Sequence, residues 1–186
     1  MFDTVIRALE NTSLKSLDPG DETLAFWINA YNIAVVHLIA EAYPISSIKD
    51  IGTSVQPVWN MNAISIDHKS YTLEEIEREV ASFHNPKVRF ALFNGSISGP
   101  DLRTEAYTKS KLQLQLEDQT KSFLQNETKG CKMDFGTNTL LYSKLFEWFQ
   151  SDFGSETKIK TFIYPYVPVN LSATTKFIFY DWGLND

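Results

Sequence analysis

The residues with the greatest potential for chemistry lie in one polar loop. Residues 94–99 read NGSISG, which places Ser96 and Ser98 between glycines that permit unusual backbone angles. A serine becomes a nucleophile only beside a general base, and the histidines available for that role are His37, His68 and His84. The nucleophile elbow G-x-S-x-G has serine at its centre, whereas Ile97 stands at the centre here. A structural turn is therefore the favoured interpretation, and a serine hydrolase site is the alternative.

Two amide side chains lie inside an apolar segment. Residues 24–40 read LAFWINAYNIAVVHLIA, without an acid, a lysine or an arginine, yet they include Asn29 and Asn32. Residues three apart share one face of a helix, and a buried amide without partners costs about 1–3 kcal/mol. We therefore expect both amides to bond to groups from distant parts of the chain, either backbone groups of a neighbouring loop or groups around a pocket. The 94–99 loop is the expected neighbour.

The same segment raises the question of a membrane span. A span needs about 20 apolar residues, and this run is shorter and carries polar side chains that hydrocarbon would not accommodate. A buried core helix is the better interpretation, and we expect no membrane span. The N-terminal residues lack the pattern of a signal peptide, so a cytoplasmic location is the default expectation.

Composition argues against two further classes of partner. The chain of 186 residues has a formal net charge of −6 and no cluster of basic residues, so we expect no nucleic-acid partner. Histidine and cysteine do not occur at the spacings of metal ligands, and no glycine-rich phosphate loop is present. We therefore expect no metal and no cofactor. The single cysteine, Cys131, cannot form an internal disulfide.

The predicted elements indicate an α+β fold. Helices are predicted at 2–9, 21–43, 72–83, 105–124, 143–153 and 156–164. Hairpins are predicted at 58–71 and 131–142, and further strands at 87–93 and 176–180. Asp21 or Thr23 is expected to cap the long helix, and Thr72 with Glu75 forms a capping box. Because regular βαβ alternation is missing, we expect one compact domain over 1–186, with a central apolar helix and further helices packed on a small antiparallel or mixed sheet.

Several segments, taken in order, resemble one known family. They are LAFWINAYN at 24–32, YPISSIKDI at 43–51, YTLEEIE at 71–77, VRFAL at 88–92, SISGPDLRTEAY at 96–107, SKLFEWFQSDF at 143–153 and YDWGLND at 180–186. This ordered set is similar to the domain of unknown function 547, over about residues 24–186. The resemblance implies a single domain without a settled biochemical activity.

The chain departs from the pattern of this family at three positions. The resemblance implies cysteine in many bacterial relatives at the positions of Asn94 and Gly99, and histidine at the position of Arg78. Cysteine with histidine would suggest a thiol nucleophile and its base. Both residue types are missing here, so we expect this chain to lack that chemistry.

These observations favour a soluble domain that binds a small molecule, a peptide or a protein in a polar pocket. The pocket is expected between the long helix, the 93–103 loop and the terminal strand. Its candidate lining residues are Asn29, Asn32, Asn94, Ser96, Ser98, Arg103, Asp181 and Asn185. The alternative is a hydrolase or transferase acting on a small polar or peptide substrate, with Ser96 or Ser98 and Asp181 in the catalytic roles. A third interpretation is a structural interaction module with an exposed apolar patch.

Overall fold

The structure is a computed structural model that describes residues 2–185. The α-helices are Phe2–Glu10 (α1), Asp21–Ala42 (α2), Leu73–Ala81 (α3), Leu112–Leu124 (α4), Leu145–Trp148 (α5), Gln150–Phe153 (α6) and Glu156–Ile163 (α7). The strands are Asn62–Ile66 (β1), Lys69–Thr72 (β2), Cys131–Asp134 (β3), Thr139–Tyr142 (β4) and Thr174–Phe177 (β5). Short 3₁₀ helices lie at Leu14–Ser16, Ile48–Ile51, Val58–Asn60 and Pro86–Phe90. The α+β prediction is confirmed.

Helix α2 forms the centre of the fold. It is apolar on all sides and buries residues along most of its length, which include Ile28, Tyr31 and Val35. The helix ends before Tyr43, which is extended because Pro44 follows it. By length and composition α2 could cross a membrane, and half of its most apolar window is buried in the structure.

The expected cap of α2 is wrong. Gly20 occupies the N-cap position with φ of 102°, and no side chain caps the helix. Asp21 and Thr23 lie in the first turn, where the acid of Asp21 suits the positive end of the helix dipole. Glycine can begin the helix here because its missing Cβ permits this positive φ.

The capping box of α3 is confirmed. The Thr72 hydroxyl accepts a hydrogen bond of 3.1 Å from the Glu75 backbone N–H, and the Glu75 carboxylate accepts one of 2.9 Å from the Thr72 N–H. These two bonds satisfy donors that a helix start otherwise leaves unpaired. They fix the first turn of α3, the helix that carries Glu77.

Two small sheets complete the architecture. Strands β1 and β2 form an antiparallel hairpin, and the second sheet has the order β3-β4-β5. In the second sheet β3 is antiparallel to β4, with Cys131 opposite Tyr142, whereas β5 is parallel to β4. The second sheet is therefore mixed.

The strand predicted at 87–93 is wrong. Residues Pro86–Phe90 form a 3₁₀ helix, and the Asn85 side chain caps it by accepting a hydrogen bond of 3.1 Å from the Lys87 N–H. Proline at the first helical position already has the φ that a helix needs. The local chemistry of Asn85 and Pro86 therefore outweighs the alternation of apolar residues that suggested a strand.

Two predicted helices are shorter than expected. Residues 105–111 are irregular, so α4 begins at Leu112. The helix expected at 143–153 is broken at Phe149, whose ψ of 35° separates α5 from α6. This break turns Trp148 and Phe149 toward one cavity.

The buried apolar residues form two clusters. The first surrounds α2 and includes Leu73 and Leu92, and the second joins α4, the mixed sheet and α5 to α7, with Phe146 at its centre. Trp182, near the C-terminus, packs against both clusters. The main cavity of interest lies where the two clusters meet.

Candidate functional site

The amides of α2 bond to distant backbone groups. Asn29 donates to the Tyr107 carbonyl at 2.8 Å and accepts from the Tyr107 N–H at 2.9 Å. Asn32 donates to the Ala91 carbonyl at 3.0 Å and accepts from the Phe93 N–H at 2.8 Å. Asn32 thus bonds to Phe93, the residue immediately before the 94–99 loop, whereas Asn29 bonds to Tyr107, which follows the loop. Both amides act as structural clamps in this arrangement.

A first cavity, which we name the Arg103 pocket, lies beside these amides. It has a volume of about 400 Å³ and is lined by Asn29, Asn32, Ile33, Val36, Leu102, Arg103, Thr104, Glu105, Ala106 and Tyr107. Arg103 is paired with Glu105 at 3.0 Å and with Asp118 at 2.6 Å. Asn29, Asn32 and Arg103 therefore already use their polar groups within the protein.

The 94–99 loop holds a buried triangle of polar groups. Asn94 Nδ2 donates to the Tyr180 hydroxyl at 2.7 Å, and Ser96 Oγ donates to Asn94 Oδ1 at 2.7 Å. Ser96 Oγ also lies 2.8 Å from the Tyr180 hydroxyl, and Ser96 is fully buried. Burial raises the pKa of Tyr180, and the bonds from Ser96 and Asn94 oppose this increase. The triangle joins the loop to the C-terminal segment.

The C-terminal segment runs antiparallel to this loop. Ser98 Oγ accepts a hydrogen bond of 2.9 Å from the Asp181 N–H, and the Ser98 N–H donates to the Asp181 carbonyl at 3.2 Å. The Asn185 N–H donates to the Gly95 carbonyl at 2.9 Å. The side chains of Asp181 and Asn185 are exposed, and Asp181 Oδ1 accepts from the Gly183 N–H at 2.8 Å.

The serines lack the geometry of a nucleophile. Among residues 2–185, neither Ser96 nor Ser98 has a carboxylate or an imidazole as a hydrogen-bond partner. The alternative function required such a pair in a concave pocket. Asp181 contacts the serine loop through its backbone and not through its carboxylate.

Asn94 and Gly99 are neighbours in space. A Cβ atom at position 99 would overlap Asn94 Oδ1 and would lie 2.8 Å from Ser96 Oγ. A side chain at position 99 would therefore displace the Asn94 amide. Arg78, the position at which the resemblance implies histidine, lies on the exposed face of α3, where it pairs with Glu74 at 3.6 Å.

A second cavity, which we name the tryptophan pocket, has about 250 Å³ of volume. It is lined by Tyr31, Lys49, Trp59, Glu77, Arg89, Leu92, Asn94, Leu145, Trp148, Phe149 and Trp182. Helix α2, the 94–99 loop and the C-terminal segment each contribute one residue, namely Tyr31, Asn94 and Trp182. Of the candidate residues from the sequence, only Asn94 lies here.

The rings of this pocket contact one another. Trp182 lies 5.5 Å from Trp59 and 5.4 Å from Trp148, measured between ring centroids. The Tyr31 side chain is buried in the same pocket wall as Trp59, and burial raises the pKa of its hydroxyl. These contacts hold the indole rings in fixed positions around the cavity.

The floor of the pocket contains a buried arginine. Arg89 Nε donates to Asp152 at 2.5 Å, and its guanidinium lies 3.9 Å from the Phe149 ring centroid. Arg89 Nη1 lies 3.3 Å from Glu77 Oε1, but it forms no hydrogen bond with any of the residues that the structure describes. The two groups are close enough for an ion pair, but they are not oriented for a hydrogen bond. A buried donor of this kind lacks an acceptor.

Glu77 is the acid of the floor. Burial raises the pKa of its carboxyl, Arg89 opposes this increase, and Asp152 and Glu74 add to it. A raised pKa means that Glu77 takes up a proton more readily than an exposed glutamate.

Lys49 lies at the mouth of the pocket. Its ammonium group lies 3.7 Å from the Trp182 ring centroid, and partial burial lowers its pKa. Within the part of the chain that the structure describes, Lys49 has no carboxylate partner. The mouth therefore carries a positive charge that no acid of these residues neutralises.

Sequence reasoning missed most of this pocket. Glu77 and Arg89 looked like ordinary charges on a predicted helix and a predicted strand, and Lys49 lay in a short turn. One signal was present: Arg89 interrupts the apolar run VRFALF, and a charge in such a run needs a partner when it is buried. The carboxylate partners come from α3 and α6, which no local pattern brings together.

The fold and this pocket define an α+β domain with an aromatic cavity above a buried ion pair. A family model described as protein of unknown function, DUF547, matches residues 14–124. Because the match covers more than half of the 186 residues, the chain belongs to that family. The segments at 143–153 and 180–186 lie outside the matched residues. No curated protein and no solved structure matches the chain.

Proposed function

We propose that this domain binds a small molecule in the tryptophan pocket, by packing a flat apolar group against the indole rings that line it. The observation that supports this proposal is a cavity of about 250 Å³ walled by three tryptophans and Phe149, with buried polar groups at its floor. Binding sites in proteins combine apolar walls with a few fixed polar groups in this way. The volume lies just below the range of about 300–1,000 Å³ typical of drug-sized ligands, so the ligand is small.

Several contacts support binding at this site over a purely structural role for the cavity. The rings of Trp59, Trp148 and Trp182 are held by one another, so little side-chain entropy is lost when a ligand enters. Trp148 is 43% exposed and stands at the rim. A ligand would cover this exposed aromatic surface and gain the hydrophobic free energy of its burial.

The interaction-module interpretation has less support, because the exposed large apolar residues belong to separate segments of the chain. They include Tyr43, Val55, Leu114, Phe135 and Phe179. Exposed apolar residues that stand singly are normal on protein surfaces. The hydrolase interpretation lacks a base beside either serine, as described above.

Tryptophan fluorescence tests the proposal. The protein is titrated with phenylacetate, phenylacetamide and phenethylamine, and with acetate and acetamide as controls without a ring. We expect a saturable change in emission with one or more of the ring-bearing probes and none with the controls. The absence of saturation with all three ring-bearing probes would overturn the proposal.

A variant locates the binding. Trp148→Ala removes one wall, so we expect the affinity of the best probe to fall at least fivefold. Tyr164→Ala is the matched control, because Tyr164 is also an exposed aromatic residue but lies outside the pocket. Thermal unfolding of both variants establishes that they are folded before they are titrated. Equal affinities in the two variants would place the bound probe elsewhere.

A further inference from the structure

We infer that the ligand of the tryptophan pocket carries an acid group, which the positive charges of Arg89 at the floor and Lys49 at the mouth attract. This inference rests on the proposed function, because it names the chemical class of molecule that the same pocket selects.

The first observation is the unused donor of Arg89. Arg89 is only 6% exposed, and its Nη1 lies at ion-pair distance, 3.3 Å, from Glu77 Oε1 but forms no hydrogen bond with the described residues. A buried donor without an acceptor is costly, and a bound acceptor would remove that cost. The planar guanidinium also matches the geometry of a carboxylate.

The second observation is the position of Lys49. This ammonium group lies over Trp182, which is itself a pocket wall, and it is not paired with an acid of residues 2–185. A ligand group that reaches the mouth beside Trp182 therefore meets an unneutralised positive charge. An acid there gains a charge-assisted contact, whereas an amine is repelled.

The remaining charges of the floor decide between an acid and an amine. Asp152 is engaged with Arg89 through Nε, on a different nitrogen from Nη1, which is paired by charge with Glu77 but has no hydrogen-bond acceptor among the described residues. Glu77 is the only acid among the residues that line the pocket. Phe149 and Trp182, two of the rings that an ammonium ligand could use, already face Arg89 and Lys49. The site is therefore better suited to an acid than to an amine.

The three ring-bearing probes differ only in their end group and so test this inference directly. We expect phenylacetate to bind at least fivefold more tightly than phenylacetamide and phenethylamine. Added salt should weaken phenylacetate binding and leave phenylacetamide binding unchanged, because screening acts on charges. The Lys49→Gln variant should reduce the affinity for phenylacetate alone, and Lys121→Gln, an exposed lysine outside the pocket, serves as its control.

The outcomes separate this inference from the proposed function. If the three probes bind with equal affinity, or if phenethylamine binds most tightly, the pocket binds rings but does not select acids, and only the inference is overturned. If Lys49→Gln lowers the affinity for all three probes equally, the inference is likewise overturned. If no probe binds, the proposed function fails and the inference fails with it.

An aromatic acid can be a free molecule or the C-terminus of a peptide that ends in phenylalanine. A tripeptide with that C-terminus, added to the same titration, distinguishes these sources. If the tripeptide binds as tightly as phenylacetate, the acid group of the ligand is a peptide C-terminus. If the tripeptide binds more weakly than phenylacetate, the ligand is a free small molecule. The inference is supported in either case, provided that amidation of the acid weakens binding.

Discussion

Asn94 joins the 94–99 loop to the C-terminal segment through a hydrogen bond of 2.7 Å from its Nδ2 to the Tyr180 hydroxyl. Both residues are buried, and Ser96 bonds to the same two polar groups. Because Tyr180 lies 4.7 Å from both Trp148 and Trp182 between ring centroids, this polar triangle lies directly behind the wall of the tryptophan pocket.

Removal of the Tyr180 hydroxyl should therefore destabilise the protein. In Tyr180→Phe the buried Asn94 amide loses its acceptor, and we expect the free energy of unfolding to fall by about 1–3 kcal/mol. Urea unfolding followed by circular dichroism measures this change. Tyr164→Phe is the control, because Tyr164 is 60% exposed, and it should stay within about 0.5 kcal/mol of the wild type. A Tyr180→Phe protein as stable as its control would show that the triangle contributes little.

The Asn32 clamp should be a larger contributor to stability. Asn32→Leu leaves the Ala91 carbonyl and the Phe93 N–H without their partner at a buried position. With about 1–3 kcal/mol for each unsatisfied group, we expect a loss of more than about 2 kcal/mol in the same urea experiment. Asn11→Leu, at an exposed position, provides the matched control. An Asn32→Leu protein as stable as the wild type would contradict the structural role of this amide.

Local signals in the sequence were sufficient for much of the fold. The capping box of Thr72 and Glu75 and the break of α2 before Pro44 are encoded within a few residues, and both were predicted. The apolar character of 24–40 also required that Asn29 and Asn32 find distant partners, and they do. The capping box and the helix end depend on residues adjacent in the sequence. The partners of the two amides follow from the free-energy cost of leaving a buried polar group unpaired.

The pocket could not be predicted in the same way. Its walls come from the 3₁₀ helix that carries Lys49, from α3, from the end of α5 and from Trp182, segments that meet only in the folded chain. The apolar alternation at 87–93 indicated a strand, but the Asn85 cap and Pro86 produce a 3₁₀ helix. Arg89 is consequently buried and paired with Asp152. No repeating pattern of residues in the sequence indicates this pairing.

The partly buried Glu77 at the floor of the pocket predicts a pH dependence of stability. Burial holds the pKa of Glu77 above its ordinary value of 4.5, while Arg89 opposes the increase and Asp152 and Glu74 support it. A carboxyl with a raised pKa in the folded protein binds protons more tightly there than in the unfolded chain. Its contribution to stability is therefore greatest below pH 4.5 and is lost as the pH rises through the raised value.

Glu77→Gln should abolish this part of the pH dependence. Each unit by which the pKa is raised corresponds to about 1.4 kcal/mol, so the gap in stability between acidic and neutral pH should narrow in the variant. Urea midpoints measured from pH 4.5 up to neutral pH give the profile. Glu79→Gln, on the exposed side of the same helix, should keep the profile of the wild type. Parallel profiles for wild type and Glu77→Gln would show that Glu77 does not titrate in this range.

The proximity of positions 94 and 99 predicts that their side chains are energetically coupled. In Gly99→Ala the added Cβ overlaps Asn94 Oδ1, so the amide must move and the triangle with Tyr180 is disturbed. Overpacking of this kind costs about 1–3 kcal/mol. In Asn94→Ala the amide is missing, so the same Gly99→Ala change should cost less, because the overlap with Asn94 Oδ1 is gone and the nearest remaining contact is that of 2.8 Å with Ser96 Oγ. A double-mutant cycle of unfolding free energies measures this coupling, which we expect to exceed about 0.5 kcal/mol. Additive effects of the two substitutions would mean that the loop relaxes around the new Cβ without help from position 94.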